Sequence, residues 1–130
     1  MSKAASTPAS PKPFLKWAGG KGQLVAQLEP FFPKEFTQYH EPFIGGGAIV
    51  FHLAALHPGL KACLSDGNPE LINCYEVVRD RVVELMAALD EHAARFECEG
   101  ATYYYAVRAQ HELQAAVARA ARMVFLNKTC

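Results

Sequence analysis

Several signatures of common functional sites are missing from this sequence of 130 residues. The four cysteines form no CxxC pair and the five histidines show no metal-ligand spacing, so we expect small buried thiols in a reducing cytoplasm rather than a zinc site or disulfides. No apolar run reaches the length that crosses a bilayer, and the N-terminus has no hydrophobic signal core. These absences predict a cytoplasmic protein with neither a metal site nor a membrane partner.

The sequence also lacks net charge, because 13 basic residues balance 13 acidic ones. The charges are unevenly spread: residues 1–36 carry net +3, residues 66–100 net −6 and residues 101–130 net +3. This distribution excludes a uniformly basic nucleic-acid-binding domain, although two basic ends could still flank a DNA-binding surface. Length and composition fit one globular domain over residues 14–130, preceded by a mobile tail at 1–13 that is rich in Ala, Ser, Pro and Lys.

A glycine-rich turn, Glu-Pro-Phe-Ile-Gly-Gly-Gly-Ala at 41–48, separates a strand predicted over 36–41 from a helix predicted over 48–56. Glycines allow backbone torsions closed to other residues and let a ligand approach the main chain. The N–H groups that begin the helix point towards that turn. A second strand, predicted over 61–64, precedes Asp66, about 20 residues past the glycines, where a carboxylate holds ribose hydroxyls in a nucleotide-binding βαβ unit.

The turn does not match two common nucleotide motifs. Val50 occupies the position of the third small residue in the dinucleotide fingerprint, and Lys21 precedes Gly22 instead of the Ser or Thr of a phosphate-binding loop. Glu41 would repel phosphates, yet it suits a ligand with positive charge near a ribose, such as S-adenosylmethionine. A purely structural tight turn is the alternative.

The remaining segments are predicted to be mainly helical. Asn68 is a plausible N-cap, a break is expected near Asp80, and Gly100 separates two helices. The tyrosines at 103–105 are interpreted as a partly buried helix start rather than a base-stacking surface. Trp17 is either a core anchor or a ring at a pocket edge beside Lys21. The predicted helices cover residues 24–28, 69–89, 103–113 and 115–126.

Three blocks together indicate a family. Phe-Leu-Lys-Trp-Ala-Gly-Gly-Lys at 14–21, the glycine turn at 41–48, and Leu-Ser-Asp-Gly-Asn-Pro-Glu-Leu-Ile-Asn at 64–73 closely resemble the N-terminal part of D12-class DNA adenine-N6 methyltransferases. The final Phe-Leu-Asn-Lys-Thr-Cys at 125–130 resembles that family's segment just before its target-recognition region. The resemblance implies an α/β, Rossmann-like fold that binds S-adenosylmethionine, incomplete in this chain.

The resemblance also implies roles for particular residues. Trp17 and Lys21 would contact S-adenosylmethionine, and Asp66 would hold its ribose. Gly67 departs mildly from the family pattern and could loosen the contact to the adenine ring. The wall beside the methionine part would be formed by Glu41, Pro42, Phe43, Gly45 and Gly47.

One family motif is absent. Family members hold the flipped adenine with an Asp-Pro-Pro-Tyr segment, and this chain contains no Asp-Pro-Pro. We therefore assign no catalytic residue and expect a cofactor-binding part of a DNA adenine-N6 methyltransferase, inactive alone. Its partners would be double-stranded DNA and a complementing C-terminal chain. A non-catalytic binding or regulatory module derived from a methyltransferase is the alternative, and a small-molecule methyltransferase is a weaker third.

Overall fold

The computed structural model describes residues 10–130, in two compact units that meet in sequence between Leu64 and Ser65. Residues 1–9 of the predicted mobile tail lie outside the described residues. Residues 10–13 are exposed and form neither helix nor strand. Within the described part of the chain, no helix combines the length and the apolar character needed to cross a membrane.

The first unit contains the predicted βαβ arrangement. Strands β1 (Tyr39–Glu41) and β2 (Ala62–Leu64) pair in parallel, and helix α2 (Ala48–Leu56) connects them. Tyr39 lies opposite Ala62, and Glu41 lies opposite Leu64. The mixed α/β class is therefore confirmed, and α2 has the predicted bounds. Its buried residues are Ile49, Val50 and Leu53.

Both strands are shorter than predicted, and the difference in length is larger for β1. Residues 36–38 of the predicted first strand do not join the sheet. In the register that pairs Tyr39 with Ala62, the positions opposite residues 36 and 37 lie in the turn before β2 or next to it. Phe36 instead packs its ring edge-on against His57, with 4.8 Å between ring centroids. Before β1 the chain forms a 3-10 turn at Lys21–Gln23, the single-turn helix α1 (Val25–Leu28) and a second 3-10 turn at Glu29–Phe31. The predicted helical run at 24–28 is thus confirmed as one turn.

The second unit consists of four helices. They are α3 (Pro69–Asp80), α4 (Val82–Glu99), α5 (Ala101–Arg108) and α6 (Ala116–Thr129).

The boundaries between α3, α4 and α5 are those that local signals predict. Asn68 caps α3, because its side-chain oxygen accepts hydrogen bonds from the backbone N–H groups of Glu70 at 3.0 Å and Leu71 at 3.3 Å. The chain breaks at Arg81, directly after the predicted position, and Gly100 adopts φ +57° between α4 and α5. The N-cap, the break and the glycine boundary are all confirmed.

The predicted end of α5 is wrong. The helix stops at Arg108 instead of continuing to residue 113, and α6 runs past residue 126 to Thr129. Arg122 of α6 donates hydrogen bonds to the carbonyl oxygens of Val107 at 2.9 Å and Arg108 at 2.7 Å. These carbonyls lie at the C-terminus of α5, so a side chain from another helix satisfies groups that a longer helix would have bonded internally.

The core of the second unit depends on small residues in α6. Ala120 and Ala121 have no exposed surface, so α6 can lie close to α3 and α4, with which it shares its main contacts. Cys74 of α3 is buried there as predicted, and burial raises the pKa of its thiol to about 11. The same prediction is wrong for three cysteines that lie at exposed positions: Cys63, Cys98 and Cys130.

A hydrophobic cluster that contains several aromatic rings joins α4, α5 and α6. Its buried members are Tyr103, Val107 and Phe125. The ring of His92 stacks on Phe125 with 4.9 Å between centroids, and its Nδ1 lies 2.8 Å from the hydroxyl of Tyr103. Tyr103 is therefore part of the core. This position agrees with the interpretation of the tyrosines at 103–105 as a partly buried helix start. Burial lowers the pKa of His92.

His92 should make the second unit less stable in acid. Because its pKa is lower in the folded state than the ordinary value of about 6.5, the unfolded chain binds more protons between the two values. Stability is therefore complete above about pH 6.5 and falls as the pH drops towards the folded-state pKa. Urea unfolding between pH 8 and 5 would measure this, and His92→Gln should flatten the dependence.

His111 provides the matched control, because it is exposed in the segment between α5 and α6. The variant His111→Gln should keep the wild-type dependence of the unfolding free energy on pH. If the unfolding free energy of His92→Gln depends on pH as strongly as that of wild type, His92 is not the cause of the acid destabilisation.

Candidate functional site

The glycine turn between β1 and α2 contains two residues in the left-handed region of backbone conformation. Gly45 has φ +52° and Gly47 has φ +80°. Gly47 is the N-cap of α2 and donates its backbone N–H to the carbonyl oxygen of Ile44 at 2.9 Å. Both torsions are costly for residues with a Cβ, which explains why glycine occupies these positions.

Trp17 lies against this turn. A Cβ built on Gly45 would be 3.1 Å from Cδ1 of the indole, and one built on Gly46 would be 3.4 Å from the Cβ of Trp17. The side chain is half-buried, so the ring borders the turn instead of filling the core. The backbone carbonyl of Trp17 accepts a hydrogen bond from the N–H of Gly20 at 3.1 Å, which closes the preceding double-glycine turn.

Glu41 is the one charged residue buried within residues 10–130, with 5% of its surface exposed. Lys21 Nζ donates to Glu41 Oε1 at 2.9 Å and also to the backbone carbonyl oxygen of Phe43. The hydroxyl of Tyr39 donates to Glu41 Oε2 at 2.9 Å. A buried carboxylate is tolerated when it is paired and hydrogen-bonded in this way.

Tyr39 was not identified from the sequence. Burial, the hydrogen bond to Glu41 and the negative charge of that carboxylate all raise the pKa of Tyr39, so its hydroxyl remains a donor at neutral pH. A sequence signal for this contact does exist. Residues two apart on a strand point to the same face, so Tyr39 could have been paired with Glu41 from their spacing in β1.

The two residues after Glu41 are open to solvent. Pro42 is exposed, and Phe43 has 72% of its surface exposed. An aromatic ring in that position has an accessible face but little support from the core. The structure thus gathers seven of the eight predicted site residues at one turn of the first unit: Trp17, Lys21, Glu41, Pro42, Phe43, Gly45 and Gly47.

Asp66 belongs to the second unit, two residues after the end of β2. Its Oδ1 accepts a hydrogen bond from the backbone N–H of Asn68 at 3.0 Å, which forms a tight turn ahead of α3. The side chain is half-buried, and a Cβ built on Gly67 would meet nothing within 4 Å. The carboxylate is therefore held in a defined orientation by the segment that begins α3.

The second unit also has an arginine-lined cleft of about 640 Å³, bordered by α5 and α6. Two of its three arginines make structural contacts: Arg119 pairs with Glu70, and Arg122 caps α5. The third is Arg108. Over residues 10–130 no group of three His, Cys, Asp or Glu side chains is arranged to hold a metal ion.

Comparison with known proteins gives a family and several relatives. A family model described as D12 class N6 adenine-specific DNA methyltransferase matches residues 17–130. The chain is 42% identical to the Type II methyltransferase M.MjaIII of Methanocaldococcus jannaschii, over 92% of this chain and 46% of that protein. It is 37% identical to the Type II methyltransferase M1.LlaDCHI of Lactococcus lactis subsp. cremoris, over 88% and 40%. Identity to the DNA adenine methylase of Haemophilus influenzae is 33%, over 76% and 33%.

The chain spans less than half the length of each of these three relatives. The family match nevertheless covers most of this chain. It begins at Trp17, includes the glycine turn and Asp66, and ends at Cys130. The resemblance that the three sequence blocks indicated is thereby confirmed. This chain belongs to the family of D12 class N6 adenine-specific DNA methyltransferases.

Proposed function

We propose that this chain is the cofactor-binding part of a site-specific DNA adenine-N6 methyltransferase that uses S-adenosylmethionine. The observation that carries the proposal is the arrangement of Trp17, Lys21 and Glu41 around a glycine turn in a member of this family. The fold that we infer is the Rossmann-like methyltransferase fold, of which β1, α2 and β2 would be the first βαβ unit.

The residues present fit S-adenosylmethionine. Its amino-acid end carries an ammonium and a carboxylate, and the first unit offers Glu41 and Lys21 as groups of opposite charge. The left-handed glycines shape the turn at the start of α2, and the ring of Trp17 borders that turn. Asp66 would accept hydrogen bonds from the ribose. When bound, S-adenosylmethionine supplies an electrophilic methyl group on its sulfonium.

The second substrate that we propose is double-stranded DNA. Its methylation would also require a part of the protein that carries the acceptor motif. Adenine must be flipped out of the duplex and its amino group held before methyl transfer. The Asp-Pro-Pro-Tyr motif that serves this purpose in the family does not occur in these 130 residues. We therefore assign cofactor binding to this chain, and adenine binding to residues supplied in addition to it.

Calorimetric titration with S-adenosylmethionine tests the cofactor site. The variant Asp66→Ala should bind about 1–3 kcal/mol more weakly, because the contacts to the ribose hydroxyls are lost. Asp66→Asn keeps an oxygen for the N–H of Asn68, so it separates ribose binding from the turn and should still be weaker than wild type. Asp90→Asn, on an exposed position of α4, is the control. Equal affinity of all four proteins would contradict the role of Asp66.

The glycine turn can be tested by a matched pair of alanine variants. Gly45→Ala should lower the unfolding free energy by about 1–3 kcal/mol, because a non-glycine residue is strained at φ +52° and its Cβ presses on the indole of Trp17. It should also weaken cofactor binding. Gly67→Ala introduces the same methyl group where no atom lies within 4 Å, so as the control for stability it should leave the unfolding free energy unchanged. Thermal unfolding and calorimetry of both variants provide the measurements.

The purified chain should not methylate DNA by itself. Positioning of the acceptor accounts for roughly 7–11 kcal/mol of barrier lowering in well-oriented reactions, and this chain contains no acceptor motif. The measurement is transfer of labelled methyl groups to mixed-sequence duplex DNA, with the chain alone and with the C-terminal part of a relative added. Transfer by the chain alone would contradict the proposal. Cofactor binding without transfer in either mixture would favour the non-catalytic module.

A further inference from the structure

The ammonium group of Lys21 contacts two oxygen acceptors beside the glycine turn. Its Nζ donates to one carboxylate oxygen of Glu41 at 2.9 Å and to the backbone carbonyl oxygen of Phe43. The other carboxylate oxygen is held by the hydroxyl of Tyr39 at 2.9 Å. A buried carboxylate combined with a backbone carbonyl forms the kind of acceptor set that the α-ammonium of an amino acid requires.

The two members of this ion pair differ in how freely they can move. Glu41 lies in β1 with 5% of its side chain exposed, and Tyr39 on the same strand fixes its orientation. Lys21 has 32% of its side chain exposed and starts a 3-10 turn directly after two glycines. Its four-carbon side chain can rotate away, whereas the carboxylate cannot follow.

We propose that Lys21 is an internal substitute for the ligand's ammonium. When the ligand binds, its α-ammonium replaces Lys21 as the partner of Glu41 and of the Phe43 carbonyl. Lys21 then pairs with the α-carboxylate of the ligand. One ion pair and one zwitterion become two ion pairs, so no proton or net charge is gained or lost. Tyr39 is a positioning residue, because it keeps Glu41 oriented during the exchange. The inference rests on the proposed function and deepens it: the site is specific for ligands that carry both charges of an amino acid.

The exchange predicts opposite effects of one substitution on three related ligands. Lys21→Met removes the competing ammonium but also the partner of the carboxylate. Decarboxylated S-adenosylmethionine has the ammonium and no carboxylate, so Lys21→Met should bind it on the order of tenfold more tightly than wild type does. S-adenosylmethionine itself should bind Lys21→Met no more tightly than wild type. The compound 5′-methylthioadenosine has neither charge and should bind both proteins equally.

Three further variants separate exchange from a structural effect. Lys21→Arg keeps a cation on Glu41 and should show no gain with the decarboxylated ligand. If Lys21→Met does not fold, Lys21→Gln can replace it, because the neutral amide still donates a hydrogen bond to Glu41 and should show the same gain. Tyr39→Phe should weaken binding of both ammonium-bearing ligands and leave 5′-methylthioadenosine unchanged, a selectivity that general loosening of the fold would not produce.

Calorimetric titration of the 130-residue chain and its variants with these ligands tests the proposed exchange. Tighter binding of the decarboxylated ligand to Lys21→Met, with 5′-methylthioadenosine unchanged, supports the exchange. Equal or weaker binding of that ligand overturns it while the proposed function stands, provided that wild type binds S-adenosylmethionine. If the folded wild-type chain binds none of the three ligands at millimolar concentration, the proposed function fails and the exchange fails with it.

Discussion

The buried carboxylate of Glu41 is the constraint on which the arrangement of the first unit depends. A charge with 5% exposure must be paired and hydrogen-bonded, and its two partners come from different places in the chain. Lys21 is 20 residues away in sequence, whereas Tyr39 is two residues away on the same strand. The need to satisfy this carboxylate therefore ties the 3-10 turn at Lys21–Gln23 to β1, beside the start of the glycine turn.

The three glycines of the turn have separate physical roles. Gly47 supplies the left-handed N-cap of α2. Gly45 combines a left-handed torsion with the closest approach to the indole of Trp17. Gly46 is buried, and a Cβ there would be in van der Waals contact, at 3.4 Å, with the Cβ of Trp17 and the carbonyl oxygen of Leu15. Backbone conformation and aromatic packing thus select glycine independently, and together they place Trp17 and the start of α2 at the same turn.

Much of this fold could be predicted because its signals are local. The glycine turn and the apolar run after it determine α2, and two short β-prone segments around it determine the parallel pair. Asn68 caps the helix that begins one residue later, and Gly100 interrupts the helical pattern by its backbone freedom. For the proposed site, the residues around the glycine turn were selected through the resemblance of three sequence blocks to a known family, since a family motif is itself a local pattern.

Contacts between distant residues were decided only by the tertiary structure. Arg122 ends α5 by bonding carbonyls 14 and 15 residues away, which no helical periodicity over 103–113 reveals. The ion pair of Lys21 with Glu41 likewise depends on how the chain returns past the glycine turn. The sequence by itself determined which residues carry charge, left-handed torsions and caps. Folding decided which of those charges are buried together, because burial and pairing are properties of the packed chain and not of any single segment.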